Sequence, residues 1–315
     1  MSVQVVVASL TVGAVAAAVA LTRGRTLAAL CRTISPVASI LPVRPLIILF
    51  GDSITQQSYM PGGWGARLSD YYQRTADVQL RGYSGYNTRW ALRLIPDVFP
   101  ISDAVPAVTP ALVTIMLGAN DANLPAPLRG HSAAASNQHV PLDEYVSNLR
   151  QLVGAAKRAG NGGSRVLLIT PPPCDGDAWG AHCARTYPGY PADAEPNRNF
   201  EGTKAYANAC VKLGEQLNVP TLDLHNAFVA RSDWRSLLVD GLHPNAQGGE
   251  AIATLVLEAI GKHFPELRPS SFFDDDPAKL PLDFPDFKAI DSNRWSQSFV
   301  EHAERKSRRL TGRGA

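Results

Sequence analysis

No acidic residue occurs in this 315-residue chain before Asp52, and only four cysteines occur in all, at positions 31, 174, 183 and 210. No two of them have C-x-x-C spacing, so neither a zinc site nor a dithiol redox centre is suggested. Cys174 and Cys183 are near enough in sequence to bridge in an oxidising compartment, but scattered thiols more often stay reduced. No Asn-x-Ser/Thr sequon is present, and nothing points to glycosylation on a secretory route. A large excess of either charge is missing as well. The net charge of +2 gives no case for nucleic acid or for an acidic substrate. Hydrophobic residues make up 45% and charged residues 18%, which suits a globular α/β protein with a sizeable core. The length permits one large domain or two small ones.

The residues before Asp52 form a segment of their own. Residues 3–21 are apolar or small, rich in Ala and Val, and Arg23, Arg25, Arg32 and Arg44 follow. A membrane anchor needs about 20 apolar residues, which this run nearly supplies. Arginines after the run would keep the remainder of the chain in the cytoplasm. An organelle-targeting peptide would also bear arginines and lack acids. A cleaved signal peptide fits less well, because no basic residue precedes the run. Residues 1–45, which end in a linker holding Pro36, Pro42 and Pro45, are therefore expected to anchor or to target.

Beyond the linker, strand-like and helix-like segments alternate. Residues 46–50 are a short, wholly apolar run, as in a buried parallel strand. Residues 78–82, 111–117, 165–170 and 221–224 complete five candidate strands. Leu142, Tyr145, Val146, Leu149, Leu152, Val153 and Ala156 fall on one face at helical spacing. Tyr206, Ala209, Cys210, Leu213 and Leu217 do so later, and Ile252, Leu255, Ala259 and Ile260 last. All three stripes read as core. The alternation predicts a parallel sheet covered on both faces, with ligands bound beyond the carboxyl ends of the strands. From residue 269 the pattern stops. Prolines 269, 277, 281 and 285 interrupt any helix, residues 274–276 are acidic, residues 293–302 suit a short helix, and residues 305–313 are basic. This extension is either solvated, or covers the site, or takes part in a homodimer.

Four short blocks carry polar residues with chemical potential. Phe50-Gly51-Asp52-Ser53 follows the first strand, where a serine hydroxyl meets helix amides at the sheet edge. Ser53 is either a reactive group or a helix cap. Gly82-Tyr83-Ser84-Gly85 follows the second strand and is either a plain turn or a loop that exposes backbone N–H groups. Gly118-Ala119-Asn120-Asp121 follows the third. Asn120 is a suitable neutral donor to an oxyanion, or a cap, as is Asp121. Asp240-Gly241-Leu242-His243 lies near the end of the pattern, with a carboxylate and an imidazole three apart on one turn and Asn245 placed to cap the last helix.

Taken in order, these blocks resemble those of the SGNH (GDSL-type) hydrolases. The four namesake residues fall on Ser53, Gly85, Asn120 and His243, with Asp240 as a third triad member. The G-x-S-x-G elbow of other α/β-hydrolases is absent. Gly62-Gly63-Trp64-Gly65, Ser84-Gly85-Tyr86-Asn87-Thr88-Arg89-Trp90, Gln138-His139-Val140-Pro141-Leu142 and Thr170-Pro171-Pro172-Pro173 are similar to the isoamyl acetate-hydrolysing esterase subfamily. The likeness spans residues 46–267. Leu80 departs from it, since Asn is frequent at that place.

The resemblance implies a three-layer α/β/α sandwich on a five-stranded parallel sheet, flavodoxin-like in outline, within residues 46–268, followed by the extension 269–315. It implies hydrolysis of a small-molecule carboxylic ester, of short acyl chain, through an acyl-enzyme. Ser53 would be the nucleophile, His243 its base and Asp240 the group that orients the imidazole. The amides of Ser53 and Gly85 and the side chain of Asn120 would form the oxyanion hole. No metal or organic cofactor is called for, and Asp52 reads as a hydrogen-bonding neighbour of the nucleophile. Acyl transfer or deacetylation of a sugar, lipid or other metabolite would use the same residues. A non-catalytic scaffold would not need Ser53, Asn120 and His243 together. Specificity is expected from residues 123–140 and 179–196, both read as irregular.

Overall fold

The computed structural model describes residues 44–99, 109–124, 137–160, 162–187, 190, 195–270, 276 and 278–311, with side chains up to residue 307. The apolar run 3–21 and most of the specificity segment 123–140 lie outside the described residues. Among the described residues no helix is long and apolar enough to cross a membrane. Residues Arg44–Leu282 form one compact unit, and the residues from Asp283 belong to another.

Five strands build the larger unit: β1 (Leu46–Gly51), β2 (Asp77–Gly82), β3 (Leu112–Met116), β4 (Arg165–Ile169) and β5 (Thr221–Leu222). All neighbours are parallel, in the order β2-β1-β3-β4-β5. The helices of this unit are α1 (Ser53–Gln56), α2 (Trp64–Tyr71), α3 (Thr88–Ala91), α4 (Ile95–Val98), α5 (Leu142–Arg158), α6 (Gly176–Thr186), α7 (Phe200–Leu217), α8 (Leu224–Val229) and α9 (Ala246–His263).

The side-chain alternation of a strand sorts the apolar residues into two cores. Ile47 and Leu49 of β1, Leu112 and Met116 of β3, and Leu167 and Ile169 of β4 point to one face. There they pack in a cluster with Trp64 and Leu68 of α2, Trp179 of α6, Phe228 of α8, and Ile252 and Val256 of α9. The intervening Ile48, Phe50, Val113, Ile115, Val166 and Leu168 join Leu149 and Leu152 of α5 and Tyr206 and Leu213 of α7 on the other face. Sheets buried on both sides need continuous apolar strands, which explains why these strands read as unbroken apolar runs. The result is the three-layer α/β/α sandwich expected from the sequence.

The helix ends follow the sequence chemistry. Asn199, Asp223 and Asn245 each accept a backbone N–H in the first turn of α7, α8 and α9. In α5, Asp143 and Glu144 lie in the first turn and Lys157 and Arg158 in the last, which complements the helix dipole. Three expectations are corrected. Residue 224 starts α8 instead of ending β5, because Asp223 caps there. The stretch read as irregular from Trp179 contains most of helix α6, capped by Asp175, which buries only Trp179 and Cys183, one turn apart. In the second unit, the helix expected over 293–302 is longer, α10 (Trp295–Thr311), and includes most of the basic stretch.

β3 is buried along its whole length, and Thr114 is its one polar residue. It pairs in register with Leu49 and Leu167, and its hydroxyl has no hydrogen-bond partner among the described residues. A buried hydroxyl without a partner costs about 1–3 kcal/mol relative to a satisfied one. Thr114→Val, which is nearly isosteric, should therefore stabilise the fold by about 1 kcal/mol. Thermal melts should show a rise of roughly 2–4 °C for a domain of this size. A fall in the midpoint would show that the hydroxyl has a partner.

Candidate active site

The sheet register sets three loops side by side. Gly51 at the end of β1 pairs with Gly82 of β2 and with Met116 of β3. Parallel neighbours lie about 4.8 Å apart, so the residues that follow these three strands emerge together at one edge. Ser53 comes two residues after Gly51, Gly85 three after Gly82, and Asn120 four after Met116. Gly51 has no room for a side chain: a Cβ there would lie 2.5 Å from Met116 O and 2.1 Å from Thr55 Oγ1.

Ser53 is not the cap of its helix. Asp52 takes that place and accepts the Ile54 N–H at 3.0 Å. The Ser53 hydroxyl is thus left for His243, whose Nε2 lies 2.9 Å from Ser53 Oγ. On the far side of the ring, His243 Nδ1 is 2.7 Å from Asp240 Oδ2. Asp240 Oδ1 accepts the backbone N–H groups of Leu242 and His243, both at 2.8 Å. Burial alone would raise the Asp240 pKa, but the hydrogen bonds and charge of His243, with the Leu242 amide, outweigh it and hold the carboxyl below its ordinary range. This turn depends on Gly241, whose φ is +92 and whose Cβ would lie 2.6 Å from Asp175 O. Asp175 N donates to Gly241 O at 2.8 Å, which fastens the turn to the start of α6. Trp179 of α6 then packs its ring edge-on to His243, 6.0 Å between centroids.

Asn120 caps no described helix. Its Nδ2 donates to Tyr86 O at 2.9 Å, and its Oδ1 accepts from Arg198 Nη2 at 2.9 Å and Gln138 Nε2 at 3.3 Å. With Oδ1 facing donors, the orientation of the amide is settled by the network. Its second amide hydrogen has no acceptor among the described residues. Gly85 has φ +79, and its carbonyl accepts from Gln138 Nε2 at 2.9 Å, so one glutamine ties the Gly85 and Asn120 loops together. Such an arrangement provides an activated hydroxyl and a directed neutral N–H donor at one sheet edge, which is the equipment of acyl transfer.

Of the neighbouring acids, Asp52 is the cap of α1, and Asp121 caps no described helix. Burial raises Asp52 to about 6, against the lowering effects of the Ile54 amide and the charges of His243 and Arg198. Asp121 accepts from Thr88 N at 3.0 Å and from the Thr88 hydroxyl, and so supports the first turn of α3 from the neighbouring loop. Cys174, Cys183 and Cys210 are free and buried, and burial pushes Cys174 and Cys210 up to about 12 and Cys183 up to about 11. They are poor nucleophiles in this state. The sequence assigns no role to Gln138 or Arg198. Gln138 lies in the block Gln138-His139-Val140-Pro141-Leu142 that is similar to the esterase subfamily, and this is a signal. Arg198, next to the cap residue Asn199, carries none.

Burial raises Asp121 from its ordinary 3.8 to about 7, with the Thr88 hydrogen bonds opposing. Between these values the folded protein holds a proton that the unfolded chain releases. The contribution of this group to stability is therefore full below pH 3.8 and lost as the pH rises towards 7. Asp121→Asn cannot titrate, and should gain stability relative to wild type from pH 4 to pH 7.5. Melts at both pH values check this. An unchanged difference between the two proteins would show that Asp121 is ionised throughout.

Known proteins resemble the chain in family and in fold. Residues 49–251 match the GDSL-like lipase/acylhydrolase family. A GDSL esterase/lipase of Arabidopsis thaliana is 40% identical over 260 residues, covering 82% of this chain and 99% of its own length. An isoamyl acetate-hydrolyzing esterase 1 homolog of Homo sapiens is 37% identical over 218 residues, covering 69% and 82%. In fold, the chain is similar to a lipase/acylhydrolase from Enterococcus faecalis, with a TM-score of 0.50, 23% identity, and coverage of 69% and 96%. With the family match and these relatives beside the serine, imidazole and carboxylate at the sheet edge, the chain belongs to the GDSL-like lipase/acylhydrolase family and is a serine ester hydrolase.

Proposed function

We propose that the protein hydrolyses short-chain, acetate-type carboxylic esters through an acyl-enzyme on Ser53. The observation that carries this reading is the unbroken line from Asp240 through His243 to Ser53, with contacts of 2.7 and 2.9 Å. In the first half-reaction His243 takes the proton of Ser53 as Oγ attacks the ester carbonyl. The imidazolium then protonates the departing alkoxide, and the alcohol leaves. In the second half, His243 deprotonates a water that attacks the acyl-serine, and returning the proton to Ser53 Oγ releases the acid. Asp240, ionised because its carboxyl is held below its ordinary range, keeps the imidazole in one tautomer and stabilises its charged form.

The negative charge that grows on the carbonyl oxygen needs donors already in place. The amides of Ser53 and Gly85 and the unpaired hydrogen of Asn120 Nδ2 serve as that set. The short acyl preference rests on the human relative, which is named as a homolog of an isoamyl acetate-hydrolyzing esterase. No part of this scheme asks for a metal or an organic cofactor.

Steady-state kinetics on nitrophenyl esters of two to twelve acyl carbons test the proposal. kcat/KM should be greatest at two to four carbons; a maximum at eight or more would contradict the acyl assignment. Removing one oxyanion donor costs about 100- to 1,000-fold in kcat. Asn120→Ala should fall in this range with KM little changed, and Asn120→Asp should be worse. A near-normal kcat in Asn120→Ala would remove Asn120 from the oxyanion hole. Asp240→Asn should lower kcat/KM, because the imidazole loses the carboxylate that orients it and stabilises its charged form, and an unchanged kcat/KM would remove Asp240 from the triad.

A further inference from the structure

Arg198 is an expensive residue in its present place. It is 4% exposed, in the loop before α7, and among the described residues it hydrogen-bonds to no carboxylate. Its Nε donates to Ala119 O at 3.1 Å, and Nη1 to Asn197 Oδ1 at 3.4 Å. Its Nη2 donates to Asn120 Oδ1 at 2.9 Å and to Gln138 Oε1 at 2.7 Å. All four acceptors are neutral. Burial strips this cation of its water, a cost that neutral amides and the charge of nearby Asp52 offset only in part. The guanidinium also lies over the Trp179 ring, 5.2 Å from its centroid. Trp179 in turn donates Nε1 to Asn197 Oδ1 at 2.7 Å and packs against His243.

Each of these contacts ends on a group that holds the reaction centre. Two of them, at Ala119 O and Asn120 Oδ1, grip the Asn120 residue at its backbone and its side chain. A third reaches Gln138, which spans Gly85 O and Asn120 Oδ1. A guanidinium fork suits this task because its donors are planar and fixed relative to one another. A charged donor on an amide oxygen also polarises that amide. The N–H on the other side then becomes a stronger donor, as in any hydrogen-bond chain in a low-dielectric interior. Neither effect requires contact between Arg198 and the substrate.

We propose that Arg198 is a positioning residue of the oxyanion hole, which sets the orientation of the Asn120 amide and strengthens its outward N–H towards the transition-state oxyanion. This rests on the reading of Asn120 as an oxyanion donor. Gln138 acts in the same chain by holding the Gly85 loop at a fixed distance from Asn120.

A double-mutant cycle between Arg198→Met and Asn120→Ala tests the proposal, with kcat and KM measured on a short-chain ester and folding followed by thermal melts. Arg198→Met should lower kcat by about 10- to 100-fold, less than loss of the donor itself, with KM within about twofold. Arg198→Lys should recover part of that loss. In the Asn120→Ala background, Arg198→Met should cost less than about threefold more, because its route to the oxyanion is already cut. If Arg198→Met does not fold, Arg198→Lys takes its place in the same cycle under the same criterion. Losses that multiply in full, a kcat in the single Arg198 variant within about threefold of wild type, or an effect on KM alone would each overturn the role of Arg198 and leave Asn120 standing. A normal kcat in Asn120→Ala would overturn both.

Discussion

The hydrogen bond between His243 Nε2 and Ser53 Oγ joins groups 190 residues apart in sequence, and the fold is arranged around keeping it at 2.9 Å. Each end is held by a different device. Ser53 is held by β1, whose register is marked by apolar pairs on both sides, Ile47 with Val78 and Leu49 with Leu80 of β2, and Ile47 with Leu112, Ile48 with Val113 and Phe50 with Ile115 of β3. A slip of one residue would turn both faces of the strand inside out. His243 is held by a turn that has no sheet behind it. Its support comes from the Asp240 carboxylate, which takes two backbone amides and the ring nitrogen, and from Gly241 against Asp175 at the start of α6. Helix α6 thus matters to the site although its own apolar face is small.

Charge burial is the second constraint. Asp52, Asp121 and Arg198 are all at most 4% exposed. Burial pushes both acids up, to about 6 and about 7, so they titrate near neutrality; burial also lowers the arginine, but from so high a reference value that it stays charged. Of the three, Arg198 alone keeps a constant charge around neutral pH, and it bonds directly to the Asn120 amide oxygen. In a water-poor interior such fixed dipoles and charges act on a developing anion without reorganising at the moment of reaction. They also lower stability, since the same desolvation works against folding. The apolar packing on both faces of the sheet supplies the stability that tolerates it, at roughly 1.5–3 kcal/mol for each large side chain buried.

The sequence was most legible where one physical rule acted alone. Buried parallel strands are largely apolar, so residues 46–50 and the apolar middle of 165–170 could be read directly. The faces of α5, α7 and α9 showed their helical period because one side is core and the other is water. Ser53, Gly85, Asn120 and His243 were legible because they stand beside strand ends or a cap, in blocks with a familiar order. Helix α6 was hidden because Gly176, Gly180 and several polar residues dilute a face that needs only Trp179 and Cys183. Arg198 and the task of Gln138 were illegible for another reason. Each acts through a side chain that reaches across the fold, 78 residues from Arg198 to Asn120 and 53 from Gln138 to Gly85. No local period or spacing records such a contact.

Ser53 is the proposed carrier of the covalent acyl intermediate. The most direct test is stoichiometric labelling with a fluorophosphonate, which loses fluoride to form a stable phosphonyl ester on an activated serine, followed by peptide mapping by tandem mass spectrometry. One adduct per chain on Ser53 is expected, with loss of labelling in Ser53→Ala and much slower labelling in His243→Ala. An enzyme that is inactivated while Ser53 remains unmodified, or that hydrolyses esters at full rate after Ser53 is labelled, would contradict it.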